Sequence, residues 1–386
     1  MQFSKRVQSL DQEIFAALNQ RRKELEQQGR KLYDLSIGTP DFPVPQYVKD
    51  ALCQAADDAD NWKYALQDTP ALQQAVCSYY DRRFGVKIDS SMIQSCQGSQ
   101  EGLGHIGMVL CNAGDTVLLP TPCYPAFISG ARMAEAEPWY YPMTKENGFL
   151  PDVASIPPQV AQKAKYMVVS LPSNPTGSVG NGEVYRKIID FARRYDIVII
   201  HDNAYSDIVF DGLQGDSFLR YEGAADVGVE FFSLSKSYNV TGARISFCVG
   251  NPEIIAAFRK LRSQFDFGMF LPIQAAAVAA LQGPREMVEA QRQAYQARRD
   301  ALCEGLQAIG WPVPKNHGSM FVWAPIPASY DDSMTFAGDL MEKAGVIGTP
   351  GSSFGPLGEG YIRFALVLPP AKLKEAVRAV EKSGLL

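Results

Sequence analysis

Val229-Glu-Phe-Phe-Ser233-Leu234-Ser235-Lys236-Ser-Tyr-Asn-Val-Thr241-Gly242-Ala243-Arg244-Ile245-Ser246-Phe-Cys-Val249 is the stretch on which the fold turns. Two apolar runs of strand length, Val229–Leu234 and Ile245–Val249, enclose one lysine set between small hydroxyl residues, with an arginine eight positions on. Short apolar runs bounded by turn signals suit strands buried on both faces. A lysine at the end of such a strand, beside hydroxyls and a cation, suits covalent attachment to an aldehyde cofactor whose phosphate lies alongside. A solvated lysine in a surface turn is the competing reading of so short a motif.

Working outward, Thr116–Leu119, Tyr166–Ser170 and Ile197–Ile200 read as further buried strands, and Gln100–Leu110 and Gly182–Arg194 as helices between them. Strands alternating with helices predict a mostly parallel sheet covered on both faces. Leu35-Ser-Ile-Gly38-Thr-Pro-Asp41-Phe-Pro-Val-Pro45 is punctuated by glycine and proline and reads as an irregular loop. Residues 11–28 read as a charged amphipathic helix with Ile14, Leu18 and Leu25 on one face, capped from Ser9 or Asp11. After Asn251 a long helical region runs to about Ile309 with a break at Gly283-Pro284, and Met320–Trp323, Met334–Lys343, Tyr361–Leu366 and a last helix from Pro370 follow. The expected division is a large domain over 45–275 and a smaller α/β domain made of 1–44 together with 276–386.

A chain of 386 residues exceeds what one core ordinarily supports, which agrees with two domains. The formal net charge of −5 argues against nucleic acid and anionic membrane surfaces as partners. No apolar run approaches the ~20 residues that span a bilayer, and the first residues carry no secretory pattern. Seven scattered cysteines without a C-x-x-C pair fit a reducing cytoplasm, and three isolated histidines give no metal site. Gly102-Leu-Gly104-His-Ile-Gly107 matches the dinucleotide fingerprint literally. The turn from strand to helix falls earlier, at Gly98-Ser99-Gln100, so these glycines read as helix-packing positions, and the free N–H groups near Gly98 make the better phosphate site.

Four positions carry the remaining chemistry. Asp202 follows a buried strand and suits holding a cofactor ring nitrogen protonated, although an aspartate there also suits a helix cap. Tyr205, three residues on, suits a hydrogen bond to the ring oxygen, or simple packing. Asn174-Pro-Thr-Gly177 is a turn at a strand exit. Arg363 sits inside the apolar strand Tyr361–Leu366, where a cation requires a partner: a substrate carboxylate or a structural acid.

The ordered set Asn174, Asp202, Tyr205, Lys236, Arg244 and Arg363 resembles the fold-type-I, class I/II aminotransferases over essentially the whole chain. The resemblance implies a mostly parallel central sheet of the seven-stranded type covered by helices, with a smaller α/β domain, and pyridoxal 5′-phosphate as cofactor. It makes Lys236 the lysine that carries the cofactor's aldehyde and shuttles the proton. Asp202 is then the partner of the ring nitrogen, and Asn174 and Tyr205 the contacts of the ring oxygen. Tyr124 corresponds to the aromatic stacked on the ring, and Ser99, Gln100, Ser233, Ser235 and Arg244 to the phosphate cup. Tyr64 corresponds to a tyrosine given to the neighbouring subunit's phosphate, hence a homodimer with shared sites. Gly38, Asn174 and Arg363 correspond to the substrate-carboxylate grip.

Within the family, His201-Asp-Asn-Ala-Tyr-Ser-Asp-Ile208, Phe210-Asp-Gly212, Gly98-Ser-Gln-Glu-Gly102 and Glu230–Gly242 are similar to the LL-diaminopimelate aminotransferases and their near relatives. That likeness implies transamination between LL-diaminopimelate and 2-oxoglutarate/glutamate. A broad aromatic, methionine or alanine aminotransferase and a C–S β-lyase are the alternatives. Cys123, Ala243 and Ser246 depart from the residues usual in the family, which bears on pocket shape.

Overall fold

The computed structural model describes residues 1–8, 10 and 15–386, with side chains omitted for 15–19. The expected caps Ser9 and Asp11 and the apolar Ile14 lie outside the described residues, as does the side chain of Leu18. The helix is described over Phe15–Gln27, and Leu25 packs against Met341 and Ile347.

Seven strands form the central sheet: β1 (Ile93–Cys96), β2 (Thr116–Thr121), β3 (Glu137–Pro142), β4 (Ala164–Ser170), β5 (Val198–Asp202), β6 (Gly228–Ser233) and β7 (Ser246–Gly250). Their order is β1-β7-β6-β5-β4-β2-β3. β7 runs antiparallel to both neighbours, and the other pairs are parallel. The near-continuous burial of β4, β5 and β6 follows from helices lying on both faces. One apolar cluster, including Tyr80, Ile188, Ile199 and Phe232, fills one side of the sheet, and a second, including Leu103, Phe127, Ile200 and Phe231, fills the other.

The sequence reading omitted β1 and β3. Both are sheet edges, and β3 carries prolines at Pro138 and Pro142, which break the apolar pattern of a strand and which edge positions tolerate. The helical region after Asn251 is also broken once more than expected. Pro252–Arg262 ends before Leu271–Gln282 begins, and the chain between passes Gly268, where any Cβ would strike the carbonyl oxygen of Ala65. The piece read over Met334–Lys343 is helical, with an α-helix over Ser333–Asp339 followed by a wider π turn over Leu340–Ala344.

A third cluster gathers Leu302, Trp311, Phe336, Phe364 and Val377 around the antiparallel strands Phe321–Pro325, Thr349–Pro350 and Tyr361–Ala365. Tyr33–Asp34 pairs in parallel with Val346–Ile347, tying the N-terminal segment to this C-terminal layer. Helix Ser99–Leu110 explains the glycine-rich match: a Cβ at Gly102 would collide with Phe231, and those at Gly104 and Gly107 would press on Met133 and Ala134. The glycines therefore admit close packing, and the phosphate-binding geometry is left to the helix start. Among the described residues no helix is long and apolar enough to cross a membrane.

Candidate active site

Parallel strands leave their carboxyl ends along one edge of the sheet, where open α/β sheets bind ligands. Asp202 closes β5, Ser233 closes β6, and the turn after β1 leads through Gly98 into helix Ser99–Leu110. The C-terminal strands supply Phe321 and Arg363 from the other side, enclosing a cavity of ≈ 500 Å³. Its lining includes Gly38, Ser99, Gln100, Tyr124, Asn174, Asp202, Tyr205, Ser233, Ser235, Lys236, Arg244 and Arg363. Every sequence-predicted site residue except Tyr64 is thus brought to one place. Tyr64 is 79% exposed, its ring 5.0 Å from that of Phe267.

Lys236 stands in the single helical turn Leu234–Ser237, which Ser233 caps by accepting the N–H of Ser235 at 3.1 Å. Its Nζ donates to the carbonyl of Gly38 at 2.7 Å, and its own carbonyl accepts from Gln291 at 2.7 Å. Burial, with Arg363 and Arg244 nearby, brings the ammonium down to about 8 against the pull of Asp202. The lysine is therefore held close to the pH at which its amine becomes a nucleophile. Asp202 has the opposite perturbation: burial pushes its carboxyl up to about 6, and its Oδ1 is buried without a hydrogen-bond partner. A carboxylate with an unfilled acceptor, in the same cavity as the lysine, suits a ring N–H donor.

At the cup end, helix Ser99–Leu110 has no side-chain cap, so its first N–H groups are available to an anion. Gly98 takes φ +86°, and the Arg244 guanidinium lies so close that a side chain at Gly98 would displace it. Arg244 itself is held at φ 54° and donates to the carbonyl of Thr241 at 2.9 Å. A left-handed conformation is strained for a residue with a side chain, and it aims this arginine back over the helix start. Ser99 Oγ is buried and unpartnered. These groups fit a phosphate, as Asp202 Oδ1 and Lys236 fit the ring and aldehyde of pyridoxal phosphate. Tyr124 Oη donates to Gln100 Oε1 at 3.0 Å, fixing the ring at the cavity wall. Burial raises the phenols of both Tyr124 and Tyr205, so each is a hydrogen-bond donor at neutral pH.

Arg363 is buried at 6% exposure, and among the described residues no carboxylate pairs with it. Its Nη1 donates to Asn174 Oδ1 at 2.9 Å and its Nη2 to the Ser36 carbonyl at 2.8 Å, while Nε has no partner. The guanidinium lies 4.1 Å from the ring of Phe321 and 4.7 Å from that of Phe354. The structural acid considered from sequence is therefore not what accompanies this cation. Phe321, Ser36, Thr349 and Gln291 escaped the sequence reading. Each acts by fixing another group, and nothing in a lone apolar or polar residue signals that. Cys123, Ala243 and Ser246, the three departures from the family pattern, do not line the cavity; Cys123 and Ser246 are buried in the sheet region and Ala243 packs on the core beneath it.

Comparison with known proteins agrees over the full length. Residues 30–380 match the model of the family "Aminotransferase class I and II". The LL-diaminopimelate aminotransferase of Moorella thermoacetica is 39% identical over 384 residues, 99% of this chain and 98% of the relative. That of Desulforudis audaxviator is 41% identical over 376 residues, 97% and 96% of the two chains. Among solved structures, substrate-bound BacF from Bacillus subtilis superposes with a TM-score of 0.95 at 36% identity, covering 99% of this chain and 98% of that one. A double mutant of Thermus thermophilus aspartate aminotransferase gives a TM-score of 0.93 at 27% identity over 99% and 100% of the chains. The chain belongs to the class I and II aminotransferases, pyridoxal-phosphate-dependent enzymes of fold type I.

Proposed function

We propose that this aminotransferase moves the amino group of LL-diaminopimelate to 2-oxoglutarate, or the reverse, as a homodimer in the cytoplasm, in the service of lysine biosynthesis. The observation that carries the site assignment is the buried, acid-free guanidinium of Arg363 in the same cavity as Lys236 and the unpartnered Asp202 Oδ1. A cation desolvated without a counter-charge is costly unless a ligand supplies one. An α-carboxylate does so bidentately, with the Gly38 backbone as the second arm.

The cofactor, when bound, supplies the electron sink for the charge left on the substrate's Cα. Asp202 would hold its ring N–H, Asn174 and Tyr205 its ring oxygen, Tyr124 its face, and Ser99, Gln100, Ser233, Ser235 and Arg244 its phosphate. Lys236 would hold it, and the Lys236 Nζ is the group that would move the proton at the substrate's Cα. The same burial that lowers Lys236 makes that exchange accessible near neutral pH. Arg363, clamped through Asn174 and Ser36, orients the Cα–H bond.

The substrate choice rests on the relatives' names and the subgroup motifs. Since Cys123, Ala243 and Ser246 leave the cavity wall untouched, they give no ground for preferring the aromatic, methionine or alanine alternatives. The homodimer is supported by a patch of exposed aromatics, among them Trp62, Tyr64, Phe267 and Phe270, with Trp62 and Phe270 rings 5.1 Å apart. Monomeric proteins rarely present so many large apolar side chains together, and Tyr64 would then reach the partner's phosphate. The seven free cysteines support a reducing compartment. Two domains, 45–275 and 1–44 with 276–386, are the division consistent with separate cores on the large and small sheets.

A donor screen on the purified holoenzyme tests the substrate. LL-diaminopimelate should discharge the cofactor's visible absorbance, and 2-oxoglutarate should restore it. If it leaves the spectrum unchanged while phenylalanine or alanine bleaches it, the substrate assignment is wrong. Pyruvate and ammonia appearing without a keto-acid acceptor would instead indicate the β-lyase.

A further inference from the structure

Gly38 meets the cavity through its backbone, and the loop that carries it is pinned on both sides. On one side the Ser36 carbonyl accepts from Arg363 at 2.8 Å and from Thr349 Oγ1 at 3.0 Å, while Ser36 Oγ donates to Asp34 Oδ1 at 2.6 Å. On the other side Asp41 takes both arms of one guanidinium. Arg298 Nη1 donates to its Oδ1 at 2.6 Å and Nη2 to its Oδ2 at 2.9 Å. The same Nη1 donates to the Leu366 carbonyl at 2.9 Å, and the guanidinium lies 4.4 Å from the ring of Phe42. Between the two anchors Gly38 is closely fitted: its carbonyl accepts from Lys236 Nζ, and a Cβ there would strike the ring of Phe321, on which Arg363 rests.

Arg298 belongs to helix Glu286–Ala308, whose buried residues Gln291, Tyr295 and Arg298 follow one another at a turn's spacing and share a face. Gln291 donates to the Lys236 carbonyl and accepts from Asn239 Nδ2 at 2.8 Å. Tyr295 meets Phe42 edge-on with ring centroids 5.1 Å apart. One rigid helix face therefore fixes both the turn that bears Lys236 and the loop that bears Gly38. Neither Arg298 nor Asp41 lines the cavity.

The Arg298 side chain is 6% exposed and that of Asp41 40%. A buried cation spent on a half-exposed acid is a costly way to fasten a loop, since apolar contacts would hold it without desolvating a charge. What the fork adds is direction, because two parallel bonds fix the plane of the carboxylate as well as its distance. We propose that Arg298 and Asp41 are positioning residues for the substrate carboxylate: their ion pair sets the Gly38 backbone in register with Arg363 without touching substrate. The proposal rests on the roles given above to Gly38 and Arg363 and adds the pair that holds them in register.

The test uses holoenzyme and the amino donor that discharges it in the screen above, LL-diaminopimelate being the one expected. Asp41→Asn keeps the shape of the acid and loses its charge; Arg298→Lys keeps the cation and loses the fork. In stopped-flow half-reactions each variant should raise the donor's apparent dissociation constant about tenfold, within the loss of up to about 10²-fold that a small displacement of a positioning group can cause. The limiting rate should stay at the parent's value, as it does when binding common to ground and transition states is lost. Melting temperature and cofactor content should also match the parent's. The double variant should lose no more than the worse single one, because the two side chains act as a unit. Unchanged donor binding in variants that melt with the parent overturns the proposal. So does a lower melting temperature with donor binding intact, the mark of a purely structural ion pair. Arg363→Gln run alongside separates this inference from the reading beneath it. If that variant also leaves donor binding unchanged, the carboxylate grip itself is misassigned. If it weakens binding while Asp41→Asn and Arg298→Lys do not, only the positioning role falls.

Discussion

Replacing Arg363 by glutamine separates catalysis from stability with opposite signs. The side chain keeps a donor for Asn174 Oδ1 or the Ser36 carbonyl, which the arginine reaches at 2.9 and 2.8 Å, but loses the fork and the charge. Two charge-assisted hydrogen bonds to a carboxylate, each worth about 1.5–3 kcal/mol, are reduced to one neutral one, a loss of about 3–4 kcal/mol. At about 1.4 kcal/mol per decade, kcat/KM for the amino donor should fall about 10²- to 10³-fold. Without substrate the same change removes a desolvated cation. Burial brings the guanidinium from 12.5 down to about 10, a penalty on the order of 3 kcal/mol that the variant no longer carries. Lost stacking on Phe321 and Phe354 offsets part of that gain, so the substrate-free melting temperature should be unchanged or up to about 4 °C higher. Stopped-flow half-reactions give the first quantity and calorimetry of the cofactor-loaded enzyme the second. Less than a tenfold loss of kcat/KM, or a clear fall in melting temperature, would refute the reasoning, the latter by showing that Arg363 is a structural cation.

Lys236, brought down to about 8 mainly by burial, becomes a free amine as pH rises through that value. The rate at which apoprotein captures pyridoxal 5′-phosphate should follow a midpoint near pH 8 and be lost in Lys236→Arg; a midpoint near the unperturbed lysine value of about 10.4 would contradict the site's electrostatics. Asp207 is fully buried between Arg285 at 2.6 Å and Arg83 at 3.1 Å. Burial raises its carboxyl, but the two arginines outweigh it and hold the group down at about 2, from 3.8. Because the folded value is the depressed one, its contribution is complete above about pH 4 and is lost as pH falls toward 2, amounting to about 2 kcal/mol. Asp207→Asn should therefore lower the urea midpoint at neutral pH and flatten the acid limb in that window; an unchanged acid limb would refute it. Phe267→Glu, in the exposed aromatic patch with Tyr64, should yield monomers by light scattering with loss of activity and of tightly held cofactor, whereas a fully active monomer would remove the shared-site dimer.

The sequence alone determined what depends on local chemistry and order. The buried runs that became β2, β4, β5, β6 and β7 were legible because central strands covered on both faces are predominantly apolar. The edge strands β1 and β3 were not, since an edge tolerates polar residues and proline. Lys236, Asp202, Asn174 and Arg363, each ambiguous alone, could be named because they occur together in an order that resembles a known family. The tertiary structure alone decided what those residues face. It showed that the cation in Tyr361–Ala365 has Asn174 and the Ser36 carbonyl as hydrogen-bond partners and, among the described residues, no acid, although they lie 189 and 327 residues away. It also showed that Cys123, Ala243 and Ser246, adjacent in sequence to the cofactor residues, leave the cavity wall alone. Neighbourhood in a chain fixes backbone direction over a few residues. Desolvation and charge pairing are properties of a volume, and segments from all along the chain contribute to the one that matters here.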